Sequence, residues 1–279
     1  MLKYVTHQAF PAGTGHDVAG VVESVGPQVS GFNVGDRVVA CTLSASGYAD
    51  YCILNEKTAG KIPADVSFAD AAGMPMAALT AIQALRATNI KPGDSVFISG
   101  GAGGVGTFAI QFAKQVFKAG KVTVTCSGSK AELCKSLGAD VCVDYTKQPK
   151  NYAGLGKFDA VLDVIGDAIP MAVLCKPGSI LSSVSVFNSS IAPQAPWFVR
   201  RLLDAMGLPA TMHAAWNGAK FKCVLMLESV PDMDLINDLV AAGKVKVVKD
   251  SVFHGLADYK AAFARAETGR PAGKVVIEM

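Results

Sequence analysis

Paired cysteines are missing from this sequence, although it contains seven cysteines. The number is odd, the residues are widely spaced, and no two of them form a C-x-x-C pair. Such a pattern excludes a disulfide framework and argues against a structural zinc knuckle. We therefore expect reduced thiols, several of them in apolar, strand-like runs where a cysteine packs as a small hydrophobe.

Excess charge and long apolar runs are also missing. The formal net charge is +3 and the lysines and arginines are scattered, which argues against a nucleic-acid partner. The apolar stretch at residues 71–85 is broken by glycine and proline, so we expect no membrane span. Polar side chains within residues 1–10 argue against a signal peptide. We expect a cytoplasmic protein and leave an organellar location open.

From residue 95 onwards the sequence does contain a regular alternation of strand-like and helix-like segments. Apolar residues recur at helical spacing over residues 105–116, and residues 130–137 predict a further helix. Short apolar runs typical of buried strands occupy residues 95–99, 121–126, 141–144, 158–164 and 179–186. Strands alternating with helices predict parallel pairing with right-handed crossovers. The predicted fold class is therefore α/β, with a Rossmann-type doubly wound parallel sheet.

The two ends of the chain predict β structure with fewer helices. A helix over residues 69–85 is predicted with Ser67 as its N-cap, and another over residues 234–242. Residues 246–279 predict a strand, a helix and a strand. Residues 188–220 contain three prolines and both tryptophans, and as a partly helical insertion they form either a packed surface excursion or a lid. Early strands are predicted at residues 18–25, 37–41 and 48–54.

One glycine-rich turn stands where a strand passes into a helix. Its glycines have the G-x-G-x-x-G spacing: the first permits a tight turn, the second lets backbone N–H groups approach a pyrophosphate, and the third allows close packing of strand and helix. The helix N-terminus adds partial positive charge for the phosphates. We predict a dinucleotide site here rather than a flexible turn, formed by Gly101, Ala102, Gly103, Gly104, Val105 and Gly106.

The end of the next strand decides which nicotinamide cofactor is favoured. An NAD enzyme of this fold has Asp or Glu there, to accept a hydrogen bond from the ribose 2′-hydroxyl. The sequence continues instead with Ser127 and Lys130, and its first acid is Glu132. A hydroxyl and a cation would meet a 2′-phosphate, so electrostatics favours NADPH. The alternative is that Lys130 is a solvated residue on the first turn of a helix.

Five motifs, met in order along the chain, carry a family resemblance. They are GHDVAGVV at residues 15–22, VGDRV at 34–38, ALTA at 78–81, GAGGVG at 101–106 and GKVV at 273–276. In these motifs the chain resembles the zinc-independent, zeta-crystallin-like quinone oxidoreductases of the medium-chain dehydrogenase/reductase superfamily. The match runs through nearly the whole chain, so chance does not account for it.

The resemblance implies a GroES-like catalytic domain that is interrupted by a Rossmann domain. It assigns residues 1–75 and 248–279 to the GroES-like part and residues 76–247 to NADPH binding. In that family, the positions that hold the 2′-phosphate and the adenosine are matched here by Ser127, Lys130 and Tyr145. Positions lining the nicotinamide end are matched by Thr80, Val164 and Ser185. The resemblance also implies a homodimer.

Zinc-dependent relatives share the early motif, which makes His16 a candidate ligand. In those enzymes two cysteines join the histidine, and the downstream position is Met76 here. A thioether and one imidazole do not make a catalytic zinc site. We therefore expect no metal, and we assign His16 a structural or cleft-lining role.

Compared with the family, the chain begins late. Several N-terminal strands of the GroES-like domain have no counterpart before Met1, so we expect a truncated domain with uncovered sheet edges. Tyr4 lies near the substrate-loop tyrosine of the family and is the candidate proton donor. Its alternative role is that of a half-buried aromatic on a loop.

The predicted activity is NADPH-dependent hydride transfer to a quinone or an α,β-unsaturated carbonyl, without zinc. Hydroxyl or backbone groups would then stabilise the charge on the carbonyl oxygen. A second hypothesis is a chain that binds NADPH without turnover and has a structural or regulatory role. A short-chain dehydrogenase is excluded, because none of the six tyrosines begins a Tyr-x-x-x-Lys motif.

Overall fold

The computed structural model describes residues 14–42, 47–147, 152–185 and 197–279. Its first sheet is small and antiparallel: β1 (Asp17–Val21) pairs with β2 (Arg37–Cys41), and β2 pairs with β3 (Ala59–Lys61). Gly35 leads into β2 at a φ of +92°, a left-handed conformation that glycine adopts without strain. Within the described ranges, no helix combines the length and apolarity that a membrane crossing requires.

The large sheet has six parallel strands and forms the centre of the molecule. Its strands are β4 (Ser95–Ile98), β5 (Lys121–Cys126), β6 (Val141–Asp144), β7 (Phe158–Asp163), β8 (Cys175–Ser183) and β9 (Lys220–Cys223). They lie in the order β6-β5-β4-β7-β8-β9. The chain therefore builds outwards from β4 to β6 and returns to β7 beside β4. This reversal leaves a crevice at the carboxyl ends of β4 and β7.

Helices cover both faces of this sheet, as a doubly wound fold requires. The helices of the described residues are α1 (Phe68–Gly73), α2 (Pro75–Ala87), α3 (Gly104–Gln115), α4 (Ala131–Ser136), α5 (Ala168–Met171), α6 (Trp197–Trp216), α7 (Val230–Ala241) and α8 (Tyr259–Glu267). Of these, α1 and α8 pack against the strands near the two ends of the chain instead of the large sheet. Val96 and Ile98 of β4 are buried in one core with Phe108 of α3. Phe97 is buried in a second core with Met171 of α5. Successive residues of a strand face opposite sides, so both cores are built on the same strands.

The last strands return to the beginning of the described chain. β10 (Lys249–His254) and β11 (Lys274–Glu278) pair in parallel, with α8 between them. The Lys274 ammonium lies 3.0 Å from a carboxylate oxygen of Asp17 in β1. The second carboxylate oxygen of Asp17 accepts a 2.8 Å hydrogen bond from the backbone N–H of Met76 in α2. One half-buried aspartate therefore joins β1, β11 and the start of α2.

Several predictions from the sequence are confirmed. The strand at residues 37–41 and the βα alternation after residue 95 are present, and the Ser67 hydroxyl caps α1 by accepting from the Asp70 N–H at 3.1 Å. The helix predicted over residues 69–85 is divided at Met74. Pro75 begins α2, a position where its missing N–H costs no helical hydrogen bond.

Other predictions were wrong. Residues 48–54 form no strand, and Tyr51 and Ile53 are 75% and 90% exposed, so their alternation reflects no buried face. The strand predicted at residues 18–25 ends at Val21, and β3 and β9 were missed. Within the insertion, Ala210 and Ala214 of α6 are buried in the second core. This helix is therefore packed on the sheet.

Candidate functional site

The glycine turn between β4 and α3 is anchored to the neighbouring strand β5. The Gly100 N–H donates to the Thr125 hydroxyl at 2.9 Å, and the Gly101 N–H donates to the Thr125 carbonyl at 2.8 Å. Within the turn, the Gly103 N–H donates to the Gly100 carbonyl at 3.0 Å. These bonds fix the path of the backbone before it enters α3.

The glycines of the turn meet different steric demands. A Cβ added at Gly106 would lie 2.2 Å from the Gly100 carbonyl oxygen, and one at Gly101 would lie 2.7 Å from the Cβ of Val124. A Cβ at Gly103 would meet its nearest neighbour, again the Gly100 oxygen, at 3.5 Å. The first and third glycines are therefore required by packing. The second has room for a Cβ at ordinary van der Waals distance and lines the cleft, so its lack of a side chain leaves the backbone accessible to a ligand.

The N-terminus of α3 opens into a cleft of about 550 Å³. Gly103 is the N-cap of this helix and has no side chain with which to cap it, and no acid stands in the first turn. The free N–H groups of a first turn carry partial positive charge and bind anions. Of the predicted cofactor residues, those that line the cleft are Ala102, Gly103, Gly104, Val105, Ser127, Lys130, Tyr145 and Val164.

The C-terminal segment forms the opposite wall of this cleft, which the sequence did not indicate. The Gly273 N–H donates to the Ala102 carbonyl at 2.9 Å, and Gly269 and Pro271 line the cleft. Gly273 has a φ of +95°, and a Cβ there would lie 2.2 Å from the Val248 carbonyl oxygen. The glycine turn is therefore supported by a strand end that lies about 170 residues further along the chain.

Lys130 links the two walls. Its ammonium donates to the carbonyls of Arg270 and Pro271, at 2.6 and 3.1 Å. A lysine ammonium has three N–H groups. A bound phosphate would therefore take the third donor or compete with the two carbonyls. This placement supports the prediction that Lys130 is more than a solvated residue, because it lies in the wall of the cleft.

Asp144 in the neighbouring strand lies close to Gly128, beside the predicted residue Ser127, and sequence reasoning missed it. Its carboxylate accepts from the Thr146 hydroxyl at 2.7 Å and from the Thr146 N–H at 3.0 Å. These bonds, with one from the Gly128 N–H, lower the pKa of the Asp144 carboxyl. A search along β5 for an acid cannot find this group, because it comes from β6 at the register position of Cys126.

Asp163 organises the loop after β7 that contains Val164, and it was also missed. It is fully buried at the end of β7. One carboxylate oxygen accepts from the N–H groups of Ile165, Gly166 and Asp167, at 3.0 to 3.1 Å, and the other accepts from the Ser183 hydroxyl at 2.8 Å. The loop that contains Val164 is therefore held by the Asp163 carboxylate together with the Ser99 hydroxyl, which accepts from the Val164 N–H at 2.9 Å.

Besides Gly101, where a Cβ would collide with Val124, two predicted residues are absent from the lining of the cleft. The Thr80 hydroxyl donates to the Met76 carbonyl one turn earlier in α2, at 2.6 Å. Ser185 follows β8, and its N–H donates to the Ser183 hydroxyl at 3.2 Å. Neither is among the residues that line the cleft. Tyr4 lies outside the described residues.

His16 lies in a second cleft, of about 1680 Å³, together with Met76 and Tyr48. Its Nδ1 is 2.9 Å from the carbonyl oxygen of Thr42, which fixes the orientation of the ring. Among the described residues, one group of three side chains could hold a metal ion, and His16 does not belong to that group.

Cys126, which lines the cleft, is one of three neighbouring thiols. The thiol of Cys134 donates towards it, and this, with a weaker contribution from Cys142 against the effect of burial, lowers the pKa of Cys126 to about 7. Burial raises the pKa of Cys142 to about 11. Of these two thiols, Cys126, which lines the cleft, is the more acidic.

A parallel sheet with a glycine turn at its reversal point defines a dinucleotide-binding protein, and sequence comparison identifies its family. The alcohol dehydrogenase GroES-like domain family matches residues 1–162, and the zinc-binding dehydrogenase family matches residues 137–277. The chain belongs to the zeta-crystallin-like quinone oxidoreductase family of the medium-chain dehydrogenase/reductase superfamily.

Individual relatives agree with this family. The 2-methylene-furan-3-one reductase of Solanum lycopersicum is 36% identical over 285 residues, and the chloroplastic NADPH-dependent alkenal/one oxidoreductase of Arabidopsis thaliana is 34% identical over 285 residues. Each match covers 98% of this chain and 65% of the relative, so the chain spans less than two thirds of their length. The solved quinone oxidoreductase from Coxiella burnetii is 28% identical, with a TM-score of 0.82, covering 100% of this chain and 82% of that one.

Proposed function

We propose that this chain is an NADPH-dependent oxidoreductase that reduces quinones or α,β-unsaturated carbonyls by hydride transfer, without zinc. The observation that carries the proposal is the glycine turn at the N-terminus of α3, which opens into a cleft with Lys130 in its wall. The names of the relatives support the cofactor and the class of acceptor, since one is an NADPH-dependent alkenal/one oxidoreductase and another a quinone oxidoreductase.

The residues of the cleft fit a dinucleotide. Backbone N–H groups of the first turn of α3, that of Val105 among them, would hold the pyrophosphate, because Gly103 has no side chain to block its approach. Lys130 and Ser127 would hold the 2′-phosphate. Tyr145, which is 55% exposed at the cleft, would pack against the adenosine.

The nicotinamide end would be formed by the loop that Asp163 holds, with Val164 in contact with the ring. Thr80 and Ser185 stay predictions there, since neither lines the cleft. Residues 76–247 would then be the NADPH-binding domain, and residues 1–75 with 248–279 the substrate domain. The large sheet, from β4 to β9, lies wholly within the first of these.

Bound NADPH supplies the hydride. The chain would orient the two reactants, exclude water, and place N–H or O–H donors where the acceptor's oxygen gains negative charge. Tyr4 stays the proposed proton donor. His16, held by the Thr42 carbonyl, would line the substrate cleft without a metal.

Steady-state kinetics with the purified chain test the proposal. We expect oxidation of NADPH in the presence of a quinone or an enone, with kcat/KM at least about tenfold higher for NADPH than for NADH, because one charge-assisted hydrogen bond is worth 1.5–3 kcal/mol. NADPH affinity without oxidation by any acceptor of either class would favour the alternative of a binding protein without turnover. A preference for NADH would contradict the role of Lys130.

Two further properties belong to the proposal. A homodimer is proposed from the family resemblance, and light scattering of the purified chain tests it. A cytoplasmic location is likewise proposed, and fractionation of cells that express the tagged chain tests it.

A further inference from the structure

Three cysteines converge beside the adenosine end of the cleft. They are Cys126 at the end of β5, Cys134 in α4 and Cys142 in β6, and their three sulfur atoms all lie within 4.8 Å of one another. No other residue of the described chain with a metal-ligand side chain joins this group. We call it the thiol cluster.

The fold, rather than sequence spacing, brings the thiol cluster together. β5 and β6 are parallel neighbours in which Val124 pairs with Cys142, and Cys126 with Asp144. Residues two apart on a strand share a face, so Cys126 and Cys142 lie on the same side of the sheet. The connecting helix α4 packs on that side and buries Cys134 completely. A single β-α-β unit therefore supplies all three sulfurs.

Two cysteines of the thiol cluster are buried, and the third is partly exposed to solvent. Cys126 and Cys134 are 2% and 0% exposed, whereas Cys142 is partly exposed, with its sulfur 3.5 Å from the Ala131 carbonyl oxygen. Such an arrangement shields a bound ion from water and still leaves an entry path through Cys142.

We propose that Cys126, Cys134 and Cys142 bind one thiophilic metal ion of the copper(I) class as three thiolates. Thiolate ligands select soft ions such as Cu⁺ over hard ions. Structural Zn²⁺ sites have four ligands, and the described residues bring three together. A three-coordinate ion with metal–sulfur bonds of about 2.3 Å separates its sulfurs by about 4 Å, so the cluster needs a small contraction at most.

Binding would release protons from the thiols and would leave the oxidation states of copper and sulfur unchanged. Each thiol that forms a bond to the ion loses its proton to solvent, so affinity rises with pH. The site is distinct from the dinucleotide site, although Cys126 lines both, and it does not depend on the proposed reductase activity. It departs from the expectation that these thiols act as small hydrophobes.

Competition with a chromophoric Cu⁺ chelator such as bicinchoninate tests the site on the full chain, reduced with a phosphine and kept free of oxygen. We expect one tightly bound Cu⁺ per chain. Cys126→Ser, Cys134→Ser and Cys142→Ser should each weaken binding by at least about a hundredfold, because metal–ligand bonds contribute several kcal/mol each. Cys175→Ser is the matched control, since Cys175 is equally buried in the second core, and it should bind Cu⁺ as tightly as the parent chain.

Circular dichroism and melting temperature separate loss of the site from loss of the fold. Cys142→Ser is the most informative variant, because this residue is partly exposed and its replacement disturbs the core less than that of the buried Cys126 or Cys134. Retention of full affinity by a folded Cys142→Ser chain would overturn the proposal. So would equal loss in Cys175→Ser, or one-to-one binding of Zn²⁺ by a chain that does not bind Cu⁺.

Discussion

The two edges of the six-stranded sheet differ in how they use polar groups, although the same strands form both. At the carboxyl edge, β4 and β7 continue into the glycine turn and the loop held by Asp163, and both line a cleft. At the amino edge, charged side chains pair with one another. The Asp159 carboxylate lies 2.8 Å from the Lys176 ammonium, and Asp140 lies 2.7 Å from Lys114.

This difference distinguishes the polar groups that stabilise the fold from those that are available to a ligand. At the amino edge each of these carboxylates has a cation and a backbone N–H as partners, since Ser95 donates to Asp159 and Val122 donates to Asp140. At the carboxyl edge the N–H groups of the first turn of α3 face the cleft, and Lys130 bonds to carbonyls that carry no charge. Groups whose partners are weak or missing are the ones that a ligand can use.

Gly106→Ala should give the largest effect. The new Cβ would lie 2.2 Å from the Gly100 carbonyl oxygen and 2.8 Å from the Gly101 carbonyl carbon, so α3 must move away from the turn. We expect NADPH affinity to fall by more than about a hundredfold and the free energy of unfolding to fall by about 1–3 kcal/mol. Fluorescence titration with NADPH and urea denaturation measure the two effects.

Gly103→Ala is the matched control at the same turn. Its Cβ would meet its nearest neighbour at 3.5 Å, so the free energy of unfolding should stay within about 0.5 kcal/mol of the parent value. NADPH affinity should still fall, because a methyl group would occupy the approach of the pyrophosphate. If Gly106→Ala kept native affinity, the steric account of the turn would be wrong.

Lys130→Met should give an effect of intermediate size that is specific for the phosphorylated cofactor. Removal of the ammonium removes its charge-assisted bonds to the 2′-phosphate, worth about 1.5–3 kcal/mol, so the Kd for NADPH should rise about 10- to 100-fold. The Kd for NADH should change little. Lys135→Met is the control on the same helix, because this ammonium bonds to the exposed Glu132 at 2.9 Å. Equal loss of both cofactors would indicate a structural role for Lys130.

Local patterns predicted the elements that carry the glycine turn. The runs that became β4, β5 and β7 are short, apolar and bounded by turns, and a buried parallel strand needs nothing more. At residues 48–54 the alternation of residue types led to the wrong prediction of a strand. The apolar side chains of this segment have no sheet to cover. β3 has three residues, too few for an alternation of apolar and polar side chains to be recognised in the sequence.

The site could be predicted in part, because its glycines and Lys130 follow one another along the chain. Asp144, Gly273 and the carbonyls that hold Lys130 come close to these residues through strand order and through the return of the C-terminal segment. The thiol cluster also depends on strand register. Such contacts become visible when the strands are placed, since no spacing in the sequence encodes them.

The ion pair of Asp159 should give the smallest effect. It also tests the comparison of the two edges directly, because it lies at the amino edge. Burial raises its pKa, but hydrogen bonds from Lys176 and Ser95 outweigh this and lower the pKa to about 2. A carboxyl whose folded pKa is depressed stabilises the protein above its unfolded pKa of about 4, and this contribution is lost as pH falls towards 2. Lys176→Met should therefore lower the free energy of unfolding by about 1–2 kcal/mol at pH 6 and by progressively less below pH 4. NADPH affinity at pH 7 should be unchanged, since the pair lies at the opposite edge from the cleft; a change in that affinity would show that the two edges are coupled.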